Sequence, residues 1–115
     1  MANGTIKHQR LNYLTANLAQ KEVTPETSTE LCKIALPPGV WVVISYMSLS
    51  KSGNNTYNHT LGGRTVRNWE KSGGGSDNTV VFNAGSGGMD IALTVYHTIT
   101  GGCTVSYAWQ AFRIQ

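Results

Sequence analysis

Side chains able to do acid–base or metal chemistry are few in this chain: the three histidines His8, His59 and His97, and the six carboxylates Glu22, Glu26, Glu30, Glu70, Asp77 and Asp90. A helix-borne zinc site needs histidines at i and i+4 around a glutamate, and none of these histidines has that spacing. His97 falls on the apolar side of an alternating stretch, where a strand-end histidine with a satisfied ring is commoner than a ligand. A glycosidase needs two carboxyl groups held about 5 Å or more apart across a sugar, and no spacing here sets up such a pair. Serine is plentiful, yet no Gly-x-Ser-x-Gly elbow joins a strand to a helix. Gly85-Ser86-Gly87-Gly88 reads instead as a turn. Gly73-Gly74-Gly75 lacks the Lys-Ser/Thr that completes a phosphate loop and reads as a surface hairpin. The two cysteines, Cys32 and Cys103, have no partners at zinc-site spacing and read as free thiols on strands, a disulfide between them being the alternative. These readings yield no catalytic residue, no metal ligand and no cofactor, and the expectation is a protein that is not an enzyme.

Recognition chemistry is better represented. Trp41, Tyr46, Tyr96, Tyr107, Trp109 and Phe112 lie in β-like stretches, where rings pack into a core or between subunits. Of these, Tyr46, Tyr96, Tyr107, Trp109 and Phe112 are the candidates for a subunit interface. Asn54, Asn55, Tyr57, Arg64, Arg67 and Trp69 gather around loop signals and form the candidate ligand surface. Asparagine hydrogen-bonds adaptably, the two rings can stack on sugar faces, and the guanidinium groups suit an anionic glycan. The competing reading closes the end of the fold with Trp69 and leaves the loops merely solvated.

The elements that must hold these residues are strands. At 115 residues there is room for one core, placed at residues 11–115 behind a segment or linker at 1–10. Charged residues are only 13% and glycines number 13, and polar positions go to Ser, Thr, Asn and Gly rather than to helix formers. The clearest strand runs from Val40 to Leu49 after the breaker Pro37-Pro38-Gly39, with apolar residues on both faces. A second runs from Met89 to His97. A third runs from Cys103 to Ile114 after Gly101-Gly102, and is expected to pair with the second as a hairpin. Shorter candidates are Leu11 to Val23, Glu30 to Leu36, Leu61 to Trp69 and Thr79 to Asn83, making seven or eight strands in all. Leu11 to Gln20 also has a helical spacing of leucines, which leaves a helix open there. Many short strands with turns between them imply an antiparallel sandwich or barrel.

Two apolar faces on one strand, in a domain too small to cover both, imply self-association. The nine basic residues behind the net charge of +3 are dispersed along the chain, which argues against nucleic acid as a partner. No apolar run reaches membrane-spanning or signal-peptide length, so neither membrane insertion nor export by the chain itself is expected.

Three ordered pieces carry a family resemblance: Leu36-Pro37-Pro38-Gly39-Val40-Trp41-Val42-Val43, then Met89-Asp90-Ile91-Ala92-Leu93-Thr94-Val95, then Trp109-Gln110-Ala111-Phe112-Arg113-Ile114. Together they resemble bacteriophage tail-fibre head domains over roughly residues 11–115, and the order of elements is similar to the tumour-necrosis-factor and complement globular-head jelly rolls. The resemblance implies an all-β antiparallel jelly-roll sandwich assembled as a homotrimer. It also implies a place at the tip of a virion fibre made in the host bacterial cytoplasm, attaching to a bacterial surface glycan or protein. Tail fibres carry a long shaft before the head, whereas here Met1 stands almost directly before the domain. The alternatives are a non-viral lectin-like carbohydrate-binding module and a structural virion protein of the capsid-decoration or baseplate kind.

Overall fold

The computed structural model describes residues 12–51, 56–70 and 74–115, and the side chains among them other than those of 66–70 and 74–76. The segment assigned to residues 1–10 lies outside the described residues. Eight strands follow one another: β1 (Tyr13–Val23), β2 (Thr29–Leu36), β3 (Val40–Leu49), β4 (Thr56–Leu61), β5 (Arg64–Glu70), β6 (Gly74–Asn83), β7 (Met89–His97) and β8 (Cys103–Arg113). From Tyr13 onward the stretch with the helical leucine spacing is β1, and Leu11 lies outside the described residues. The single strand expected from Leu61 to Trp69 is in fact the end of β4, the turn at Gly62-Gly63, and β5.

Two four-stranded antiparallel sheets, ordered β1-β8-β3-β6 and β2-β7-β4-β5, pack as a sandwich. Strand pairs are nested, β1 with β8, β2 with β7, β3 with β6 and β4 with β5, which is the double Greek key of a jelly roll. This pairing corrects the expected β7–β8 hairpin. The two strands lie in opposite sheets, and the connection through Gly101-Gly102 crosses the layer between them. Each has an apolar inner face, which a hairpin or a sandwich would bury equally well, so the local pattern does not choose between them.

β3 shows why the sandwich holds. Trp41, Val43, Ser45, Met47 and Leu49 are buried between the sheets, while Val40, Val42, Ile44, Tyr46 and Ser48 face outward and are half-buried. The Trp41 indole N–H donates to the Pro37 carbonyl at 2.8 Å, satisfying its polar atom inside the core. Gly39 opens the strand at φ 125°, and a Cβ there would come within 2.6 Å of the Gln115 carbonyl oxygen, so the turn after Pro37-Pro38 requires glycine. Facing β3 across the layer are Ile34, Leu36, Tyr57, Leu61, Ile91, Leu93 and Val95.

Candidate functional site

Loops gather at the end of the sandwich where β1, β3 and β8 meet the connections between strands. They enclose a cleft of about 590 Å³ whose walls include Glu22, Pro25, Ser50, Lys51, Gly102 and Cys103. Ser50 and Thr104 tie β3 to β8 there by two bonds of 2.9 Å, Ser50 N–H to the Thr104 carbonyl and Thr104 N–H to Ser50 Oγ.

Beneath the cleft, His97 is fully buried. Its Nε2–H donates to the Val23 carbonyl at 3.0 Å, and its Nδ1 accepts the Ile99 N–H at 3.0 Å. The ring thereby joins β7 in one sheet to the end of β1 in the other and sets the path of the β7–β8 connection. Glu26, at φ 60°, adds an N–H bond of 2.7 Å to the His97 carbonyl. Burial pushes the Cys103 thiol above its ordinary range, against the opposing pull of the Lys51 ammonium. Burial, with Glu30 adding to it, also raises Cys32. Both thiols are free and held in the protonated, weakly nucleophilic form.

A second polar group lies inside the core. Ser45 and His59 are fully buried, with His59 Nε2–H donating to Ser45 Oγ at 3.1 Å and Asn78 Nδ2 donating to His59 Nδ1 at 3.2 Å. The order Ser–His–Asn looks like a nucleophile, base and orienter. Its chemistry differs, because the amide donor on Nδ1 puts the ring proton on Nε2, which then gives a hydrogen bond to the serine instead of taking its proton. Burial lowers the His59 pKa to about 4, so the ring is neutral near pH 7. This triad ties β4 to β3 and β6 across the layer. Among the described residues no group of three His, Cys, Asp or Glu side chains is placed to hold a metal ion, and no helix is long and apolar enough to cross a membrane.

The expected ligand surface is not one patch. Tyr57 is fully buried on β4, a correction that follows from the alternation of Tyr57, His59 and Leu61, all of which face the core. Arg64 is exposed beside the β4–β5 turn, at the end of the sandwich away from the cleft, with its guanidinium 5.8 Å from the Phe82 ring centre. Asn54 and Asn55 lie outside the described residues, as do the side chains of Arg67 and Trp69. The expected interface residues divide as well. Tyr46 and Phe112 face outward on the β1-β8-β3-β6 sheet, and Tyr96 faces outward on the other sheet. Tyr107 and Trp109 stand opposite Met47 and Ser45 on the inner face and pack on the core, a correction set by the parity of β8.

The outer face of the β1-β8-β3-β6 sheet adds to Phe112, already an interface candidate, three residues that the sequence reading missed: Tyr13, Val42 and Val81. Tyr13, Phe112, Val42 and Val81 stand side by side in register, one from each strand. They make an apolar row across the whole sheet, with Tyr13 43%, Phe112 38% and Val81 51% exposed. The Tyr13 and Phe112 rings are in contact, their centres 4.9 Å apart. Cross-strand register brings these four together, and no local motif marks them.

No protein-family model matches this chain, and no curated protein matches it. Solved structures do. The chain is similar over 88% of its length to the VP2 subviral particle of infectious bursal disease virus, at TM-score 0.53 and 11% identity. The Gx strain of that virus gives TM-score 0.50 over 86% of this chain, at 10% identity. The pili of Bacillus endospore appendages give TM-score 0.49 at 11% identity, covering 90% of each chain. The chain spans about a third of the length of the VP2 chains, 32% and 31%. At such identities the likeness to the viral protein establishes a shared β-sandwich fold and nothing of function.

Proposed function

We propose that this chain is a virion-surface head domain that assembles with copies of itself through the apolar end of the β1-β8-β3-β6 face. In this reading it forms a homotrimer at the tip of a phage tail fibre and attaches to a bacterial surface glycan or protein. The observation that carries it is the exposed row Tyr13–Phe112–Val42–Val81. Four neighbouring apolar side chains spanning a sheet mark an interaction surface rather than scattered exposure.

A second copy is the occupant that suits this row. The chain carries a net charge of +3, so like copies repel unless they meet where charge is absent. The row and its flanking outward residues Val40, Asn83, Thr15, Gln110, Ile44 and Thr79 carry none. The outward charges of this sheet, Glu22 and Asp77, lie toward the cleft. The row spans the full width of the four-stranded sheet, about 15 to 20 Å.

Sedimentation of the purified chain at micromolar concentration tests the proposal. The expected result is a mass three times that of the chain, reduced to monomer by Val81→Glu with an unchanged β-sheet circular dichroism spectrum. A wild-type monomer overturns it. The fold shared with a viral capsid protein supports a second reading, a structural virion component such as a capsid decoration or baseplate piece. Assembly without binding to host cells would favour that reading.

A further inference from the structure

A smaller depression of about 150 Å³ lies on the outer face of the same sheet, between the apolar row and the cleft, and Thr15, Tyr46, Asp77, Ala108, Trp109 and Gln110 line it. Two local features create it. Ala108 gives the central strand β8 a methyl group where its outward neighbours along the strand, Ser106 and Gln110, carry polar side chains. Opposite it, β1 bulges between Ala16 and Ala19, so that Asn17 and Leu18 together face one residue of β8. A bulge bends its strand and opens the ladder, leaving space over a small side chain.

Hydrogen-bonding capacity remains around that space. Among the described residues neither the Tyr46 hydroxyl nor the Asp77 carboxylate has a hydrogen-bond partner. Gln110 accepts from the Tyr13 hydroxyl through Oε1 at 3.3 Å, which leaves its Nε2 to donate. Thr15 donates from Oγ1 to the Trp109 carbonyl at 3.3 Å and keeps its oxygen lone pairs as acceptors. The depression thus offers a carboxylate acceptor, an amide donor and two hydroxyls around an apolar floor, with aromatic carbon from Tyr46 on its wall. A pyranose presents the complement, with hydroxyls at its rim that both donate and accept and C–H faces that pack on aromatic carbon. An anionic ligand is disfavoured by Asp77, and the single carboxylate is too few for a hard cation, which takes six or more oxygens.

We propose that this depression is a saccharide subsite taking one neutral hexopyranose unit of a surface glycan. The subsite rests on the attachment reading above and places the sugar away from the loop end. Its rim residues Thr15 and Gln110 flank the apolar row, while its centre at Tyr46 and Ala108 lies four residues along the strands from Val42 and Phe112, about 13 Å from the row.

The test is a titration of the whole ¹⁵N-labelled chain with methyl α-D-glucopyranoside, methyl α-D-galactopyranoside, methyl α-D-mannopyranoside and N-acetylglucosamine, with translational diffusion recorded in the same samples. At least one sugar is expected to give saturable amide shifts centred on Tyr46, Ala108 and Gln110. Asp77→Ala, a change at an exposed position, should weaken that sugar at least tenfold, and Ala108→Leu, which fills the floor, should abolish the shifts. No saturable shift at these residues with any of the four sugars overturns the subsite. Shifts confined to Ser50, Lys51 and Gly101 overturn it too, while leaving attachment by this domain standing. Diffusion reports the trimer separately, so failure of the subsite and failure of the assembly are read from different signals.

Discussion

At the scale of single residues, His59 couples stability to pH. Its ring is neutral in the fold, with a pKa lowered to about 4 by burial, whereas the unfolded ring titrates near 6.5. Between those values the unfolded chain binds the extra proton, so the contribution of His59 is complete above about pH 6.5 and is lost as pH falls toward 4. The full span amounts to about 3 kcal/mol. Urea unfolding at a series of pH values should show stability falling with acid across this window, and His59→Gln should flatten the profile even though it lowers stability at pH 7. An unchanged slope in the variant would remove His59 as the cause. Buried rings also separate core from surface: Tyr57→Ala should cost roughly 3 to 5 kcal/mol, the usual penalty for emptying an aromatic site, whereas Asp77→Ala should change stability by less than about 0.5 kcal/mol.

Among the elements, β3 depends most on its entry turn. Gly39 sits at φ 125° with the chain end packed against it, and Val40 N–H donates to the Gln115 carbonyl at 3.0 Å. A side chain at that φ costs about 1 to 3 kcal/mol in backbone strain alone, and here the new methyl would also meet Gln115. Gly39→Ala is therefore expected to lower the urea midpoint and to loosen the end of β8, seen as faster amide exchange at Arg113 and Ile114; equal exchange rates would show that the turn tolerates a side chain. Legibility was uneven at this scale. β3 announced itself by a β-branched and aromatic run after Pro37-Pro38-Gly39, and β7 by apolar alternation. β4 did not, because Tyr57 and His59 stand among Asn and Thr and the stretch reads as loop unless Tyr57, His59 and Leu61 are taken as one period-two face.

For the whole molecule, the proposed contact is apolar and nearly free of charge, and salt should act on it in a characteristic way. Screening weakens attraction between opposite charges but also reduces repulsion between copies of a basic chain, so the trimer should hold or tighten from low salt to molar sodium chloride. Sedimentation across that range checks this, and dissociation by salt would point to ionic contacts elsewhere on the surface.

Composition and period-two patterning alone determined an all-β chain with turn-rich connections, because strand propensity and alternation are local properties of the residues. They also marked His97 as a satisfied strand-end ring, since the parity of β7 fixes which way it points. Tertiary structure alone decided that β7 and β8 part into different sheets and that Ser45, His59 and Asn78 meet across the core. It also decided that Tyr13, Phe112, Val42 and Val81 form one row. Each of these depends on contacts between residues far apart in the chain, and non-local strand order and register leave no periodic trace in any single segment.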